Sequence, residues 1–184
     1  SNPGISGVAA QFTAANLETL DILDNADLGM GDGEFTWTAW VYLDSSPAQG
    51  AIISKRNGAQ ENALYYEGGV PDEFRFIWTN NVPTSVVVES NFAPSTATWY
   101  FLAAWRDKTA QTINIQVNNG VISSAAFTGT VNDSDGLLIL GGLGSAGPSL
   151  WNGRIDEVGI WKRLLTVKER TFLYNSGNSR ALWK

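Results

Sequence analysis

The side chains able to do chemistry in this chain are carboxylates and aromatic rings. Histidine and cysteine are both absent. That removes the Ser-His-Asp triad, thiolate nucleophiles, histidine bases, disulfides and zinc sites of the usual kind. An enzyme made from this set would run on carboxylates, Tyr or Lys. A metal would be a hard cation held by oxygens, calcium first. In "NGRIDEVGIW" (152–161), Asp156 and Glu157 sit inside a strand-like run. Strand alternation predicts Asp156 on one face with Val158 and Ile160, and Ile155, Glu157, Gly159 and Trp161 on the other. A carboxylate on an apolar face must be paired, hydrogen-bonded or metal-bound. A second acidic run, "LDNADLGMGDG" (23–33), spaces Asp24, Asp27 and Asp32 among glycines.

Other acid pairs are badly placed for catalysis. Glu18 and Asp21 in "ETLDIL" would lie on opposite faces of a strand, and so would the adjacent Asp72 and Glu73. The chain is therefore read as non-catalytic.

The elements that must position these groups are short strands. "FTWTAWVYL" (35–43), "GAIISKR", "NALYYEG", "DEFRFIWT", "SVVVES", "WYFLAAWRD", "TINIQV", "VISSAAF", "GLLILGGL" and "GRIDEVGIW" follow one another, separated by Gly, Asn, Asp and Pro. "NNG" at 118–120 predicts a tight hairpin, since Asn and Gly tolerate positive φ. One helix is expected at roughly 166–174. There Thr166 and Glu169 have capping-box spacing, and Asn175 and Gly177 supply the stop. The expected fold is all-β: a two-sheet antiparallel jelly-roll sandwich with one short C-terminal helix.

The 184 residues fit a single domain spanning 1–184. A net charge of −6 argues against nucleic acid and against anionic membrane surfaces. No stretch approaches the ~20 apolar residues of a membrane span. The opening SNPG has no signal-peptide pattern, which fits a removed leader, an excised domain or a protein needing none.

"GDGEFTWTAWVYLDS", "IISKRN", "WYFLAAWRD", "INIQVNNGV" and "WNGRIDEVGIWKRLLTVKERTFLYNSG", in that order, resemble the laminin-G-like jelly-roll domains of the concanavalin A-like lectin/glucanase superfamily. The resemblance runs from about Val8 to Gly177 and implies two antiparallel sheets packed face to face. It departs from the family in one strand. Phe101 stands where His is usual, Trp105 where a small polar residue is usual, and Arg106 where an aromatic is usual. Retaining glucanases of this superfamily carry an E-x-D-x-x-E strand, and no Glu here is followed by Asp two residues on. Relatives with a structural calcium imply Asp156 as a ligand, with Asp24, Asp27 and Asp32 as companions. The alternative is that Asp156 braces an N-terminal loop through backbone N–H groups without metal. Both readings stand.

The resemblance also implies a function. Family members include carbohydrate-binding modules, adhesion domains, glucanases and virion structural proteins, so fold alone does not choose among them. Sugars are held by aromatic faces and by polar groups on their rims. The candidates are Arg56, Asn57, Tyr65, Tyr66, Trp78 and Asn80 in one group and Trp105 and Arg106 in another. Trp40 and Trp78 also read as core. The leading expectation is a non-catalytic module binding a polysaccharide or surface glycan, outside the cell or on a particle surface. The alternatives are a subunit of a phage virion or cell-surface assembly, with protein partners, and then a glucanase-like hydrolase.

Overall fold

The computed structural model describes residues 3–57, 60–79, 85–130, 135–143 and 149–180. Its strands are β1 (Ala10–Phe12), β2 (Leu20–Ile22), β3 (Phe35–Leu43), β4 (Gln49–Asn57), β5 (Gln60–Glu67) and β6 (Glu73–Thr79), then β7 (Ser85–Glu89), β8 (Trp99–Asp107), β9 (Thr112–Val117), β10 (Ile122–Ala126), β11 (Leu138–Leu140) and β12 (Gly153–Trp161). Helix α1 (Val167–Tyr174) follows. The strands form two antiparallel six-stranded sheets, ordered β1-β12-β3-β8-β9-β10 and β2-β11-β4-β5-β6-β7. This is the sandwich expected from the strand spacing, with its short C-terminal helix.

Alternation makes each long strand two-faced. On β3, Phe35, Trp37, Ala39, Val41 and Leu43 point inward; on β6, Phe74, Phe76 and Trp78 do. Phe35 and Trp78 lie 4.3 Å apart by ring centroids, Trp37 and Trp78 5.5 Å, and Trp37 and Phe76 5.9 Å. Each ring removes a large apolar area from water, and tilted or edge contacts add to that burial.

The acidic pair in β12 sits on a bulge. Asp156 pairs with Trp40 and Gly159 with Thr38, so two residues of β12 oppose one of β3. Glu157 takes φ +46° there. The extra residue shifts the alternation. Ile155, Val158 and Ile160 all face the core, and Asp156 does not share their face. The simple alternation predicted for this strand is corrected on that ground. Gly159 is required where it stands, because a Cβ would run into the Trp161 ring. The hairpin turn falls on residues 118–120, where it was expected. Asn118 and Asn119 have φ +50° and +55°, and the Gly120 N–H donates to the Val117 carbonyl.

Helix α1 begins on the expected capping box. The Glu169 N–H donates to the Thr166 hydroxyl, and the Thr166 N–H donates to the Glu169 carboxylate. Asn175 closes the helix in the left-handed region. The Arg163 guanidinium, and then the Thr166 N–H and hydroxyl, hold the Glu169 carboxyl at about 2. Among the described residues no helix is long and apolar enough to cross a membrane.

Two outcomes follow. Trp78→Ala should lower stability by about 3–5 kcal/mol in urea denaturation, as expected for an emptied aromatic core site. In a side-chain NMR titration, Glu169 should protonate near pH 2, and Arg163→Ala should move that midpoint upward. Because the folded-state value is depressed, the cap's contribution is complete above the ordinary carboxylate pKa and is lost as pH falls toward 2.

Candidate functional site

A sandwich has two outer faces, and this chain treats them differently. On the outer face of the first sheet, Trp40, Phe101, Ala103 and Trp105 form a small apolar cluster. The C-terminal segment lies over it. Tyr174 stacks on Trp40 at 5.9 Å, and the Arg170 guanidinium sits 4.3 Å over the Trp105 ring. Arg170 also donates to Gln116 at 2.9 Å and to the Leu165 carbonyl at 2.6 Å. The cluster is thereby covered.

The outer face of the second sheet carries a cavity of about 150 Å³, lined by Gln49, Ala51, Ala63, Tyr65, Ile77, Leu143 and Ser149. Its origin is local. Strand β5 turns Leu64 and Tyr66 inward and Ala63, Tyr65 and Glu67 outward. Strand β6 turns Phe74, Phe76 and Trp78 inward and Glu73, Arg75 and Ile77 outward. Ala51 of β4 pairs with Tyr65. Alanine at 51 and 63, beside the larger Tyr65 and Ile77, leaves the hollow.

A polar chain runs along one wall. The Ser149 hydroxyl donates to the Gln49 side-chain oxygen, and the Gln49 amide donates to Glu67 at 2.8 Å. Glu67 lies 3.9 Å from Arg75. Arg75 also meets Glu73 at 2.9 Å and Glu89 at 3.2 Å. Burial works against the Arg75 charge, but hydrogen bonding and attraction from Glu73, then Tyr65, raise its pKa above the ordinary value. The hollow thus has an apolar floor, one aromatic ring and a rim of donors and acceptors. A cavity of roughly 150 Å³ admits one six-membered ring of benzene size.

The sequence candidates divide between these places. Tyr65 lines the cavity. Arg56 is exposed on β4, toward the β4–β5 hairpin. Tyr66 and Trp78 are 0% and 1% exposed between the sheets, so their rings are not open to a surface ligand. Trp105 is closed over by Arg170. Arg106 is buried at the opposite face of β8, held by Asp32 at 2.8 Å and by the Gly33 and Gly129 carbonyls. Grouping Trp105 with Arg106 is corrected by that alternation. Asn80 and the side chain of Asn57 lie outside the described residues. Sequence reading passed over Gln49, Glu67, Arg75, Ile77 and Ser149 and weighed Glu73 only as half of an acid pair. The signal for four of them was present: Glu67, Glu73, Arg75 and Ile77 alternate with Tyr66, Phe74 and Phe76.

The four acids considered for a cation do not share a cage. Asp156 accepts N–H groups from Ser6 at 3.2 Å and Glu157 at 2.9 Å, and so holds the N-terminal loop. Asp24 pairs at 2.5 Å with Lys55, a lysine 2% exposed that also donates to the Gly136 carbonyl. Asp32 pairs with Arg106 and, at 3.0 Å, with Lys108. The Asp27 N–H donates to the Asn25 side chain in a local turn. Among the described residues no three acids gather as cation ligands. As arranged, this set does not fit a calcium site, because a cation ligand must have free oxygens directed at one point.

A family model described as Concanavalin A-like lectin/glucanases superfamily, of laminin-G type, matches residues 18–169, and the chain belongs to that superfamily. No curated protein matches it in sequence. Three solved structures share the fold. The binding domain of Paraclostridial Mosquitocidal Protein 1 aligns at TM-score 0.76 and 12% identity, over 96% of this chain and 45% of that one, so this chain spans under half of that structure. Domain 4 of AbnA, a GH43 extracellular arabinanase from Geobacillus stearothermophilus, solved in complex with arabinotriose, aligns at 0.73 and 15% over 97% and 80%. The native heptameric SAP-like pentraxin from Limulus polyphemus aligns at 0.61 and 10% over 85% and 81%.

Removing the partner of the buried lysine gives a direct check on the acidic loop. Asp24→Ala should cost roughly 1–3 kcal/mol in chemical denaturation, through loss of the ion pair to the buried Lys55. Added calcium or a chelator should leave the wild-type melting temperature in place.

Proposed function

We propose that this chain is a non-catalytic carbohydrate-binding module that holds one sugar residue of a polysaccharide or surface glycan in the hollow beside Tyr65. The carrying observation is the cavity itself. It lies on the outer side of the second sheet and is lined by Ala51, Ala63, Ile77, Leu143, Tyr65, Gln49 and Ser149. A sugar presents an apolar C–H face and a polar rim, and this wall chemistry complements both. Support also comes from a relative of the same fold that was solved in complex with arabinotriose.

The carboxylates nearby do not suit hydrolysis. Glu67, Glu73 and Glu89 all surround Arg75, where a general acid would need a raised pKa and free access to a glycosidic oxygen. A module of this kind would act where glycans are displayed, outside the cell or on a particle surface.

Affinity electrophoresis in gels containing arabinan, β-glucan, xylan or chitosan tests this reading. Wild-type protein should be retarded by at least one of them. Tyr65→Ala should weaken that retardation about tenfold or more, since a stacked ring with its hydroxyl contributes on the order of 1–3 kcal/mol. Ala63→Leu, which fills the hollow, should do the same while the protein stays folded by circular dichroism. Retardation unchanged in both variants would remove the hollow as the site.

A further inference from the structure

We infer that the hollow selects against sugars bearing carboxylate or sulfate and accepts neutral or amine-bearing rings. The inference rests on the glycan-binding reading above and concerns the charge around the same cavity. Three carboxylates, Glu67, Glu73 and Glu89, flank a single guanidinium, Arg75, giving this group a net charge of −2.

Arg75 is the cation an acidic sugar would need, and carboxylates of this chain already surround it. Its Nε and one terminal nitrogen both donate to Glu73, at 3.1 and 2.9 Å. The same terminal nitrogen meets Glu89, and the other faces Glu67. The Tyr65 hydroxyl is a further partner. Glu73 is 2% exposed, so its charge is held in place by this pairing and cannot swing away. Glu67 is fixed in turn by the Gln49 amide. A uronate seated beside Tyr65, the cross-strand partner of Arg75, would lie close to this excess of negative charge. Like charges brought together in a half-buried site are strongly unfavourable. A hydroxyl or ammonium group, by contrast, donates to the same oxygens. Arg56 stands on the same strand toward the β4–β5 hairpin, several residues from Gln49 and Glu67, and does not cancel the local excess.

Selection of this kind works by repelling the wrong ligand as much as by holding the right one. The whole chain is also acidic, at −6, so the local effect must be separated from the overall one. Isothermal titration at about 0.15 M ionic strength, where distant charges are largely screened, does so. The probes are arabinotriose, cellotriose, laminaritriose, the trimer of glucosamine, and trigalacturonate. A neutral or amine-bearing trimer should bind at least about tenfold more tightly than trigalacturonate.

The acidic-to-neutral affinity ratio should rise several-fold in Glu89→Gln. It should stay put in Asp27→Asn, which makes the same change in net charge at a distant exposed loop. Trigalacturonate binding as tightly as every neutral trimer, or an unchanged ratio in Glu89→Gln, overturns the charge inference and leaves the glycan reading in place. No binding by any probe removes the glycan reading and this inference together.

Discussion

The layer of rings between the sheets constrains everything built on the outside. Phe35, Trp37, Phe76 and Trp78 meet across the gap at centroid distances between 4.3 and 6.1 Å. A one-residue slip in β3 or β6 would carry those rings into water and send Thr36, Thr38, Arg75 and Ile77 into the core. The register is therefore held by burial. The outward residues inherit their positions from it. Tyr65, Arg75 and Ile77 stand where they do because Tyr66, Phe74 and Phe76 are packed inside.

Given that register, the two outer faces diverge through what covers them. The first sheet's face is apolar enough to need a lid, and α1 with its following turn supplies one. Arg170 lies over Trp105 with its nitrogens bonded, and Tyr174 stacks on Trp40. The second sheet's face combines small alanines with one tyrosine and a charged rim. That surface is compatible with water and leaves room for a ring. The difference between the two faces follows from which side chains alternate outward, on strands that are otherwise alike.

Charged groups serve the same architecture. Lys55 with Asp24, Arg106 with Asp32, and Glu73 with Arg75 each place a nearly buried ion beside a more exposed partner. Desolvation makes an unpaired ion costly, so these pairs specify where loops must end and which strand ends they close. Asp156 does the equivalent with backbone N–H groups, drawing the N-terminal loop against the β12 bulge.

How much of this was legible in the chain depends on the range of the interaction. The positions of β3 to β12, the Thr166–Glu169 cap and the Asn175 stop were readable, because period-two alternation and capping chemistry act between near neighbours, whereas the three-residue β1 and β2 were too short to show a period. The inward role of Phe74, Phe76 and Trp78 was readable for the same reason. The bulge at Asp156 and Glu157 was not, since nothing local distinguishes an extra residue from a regular one until the partner strand sets the pairing. The site was readable only at Tyr65. Gln49, Ala63, Arg75 and Ser149 come from three strands and a loop, as much as 100 residues apart between Gln49 and Ser149. Which outer face α1 covers was decided by where it docks, and docking is a contact between distant surfaces that no single segment encodes.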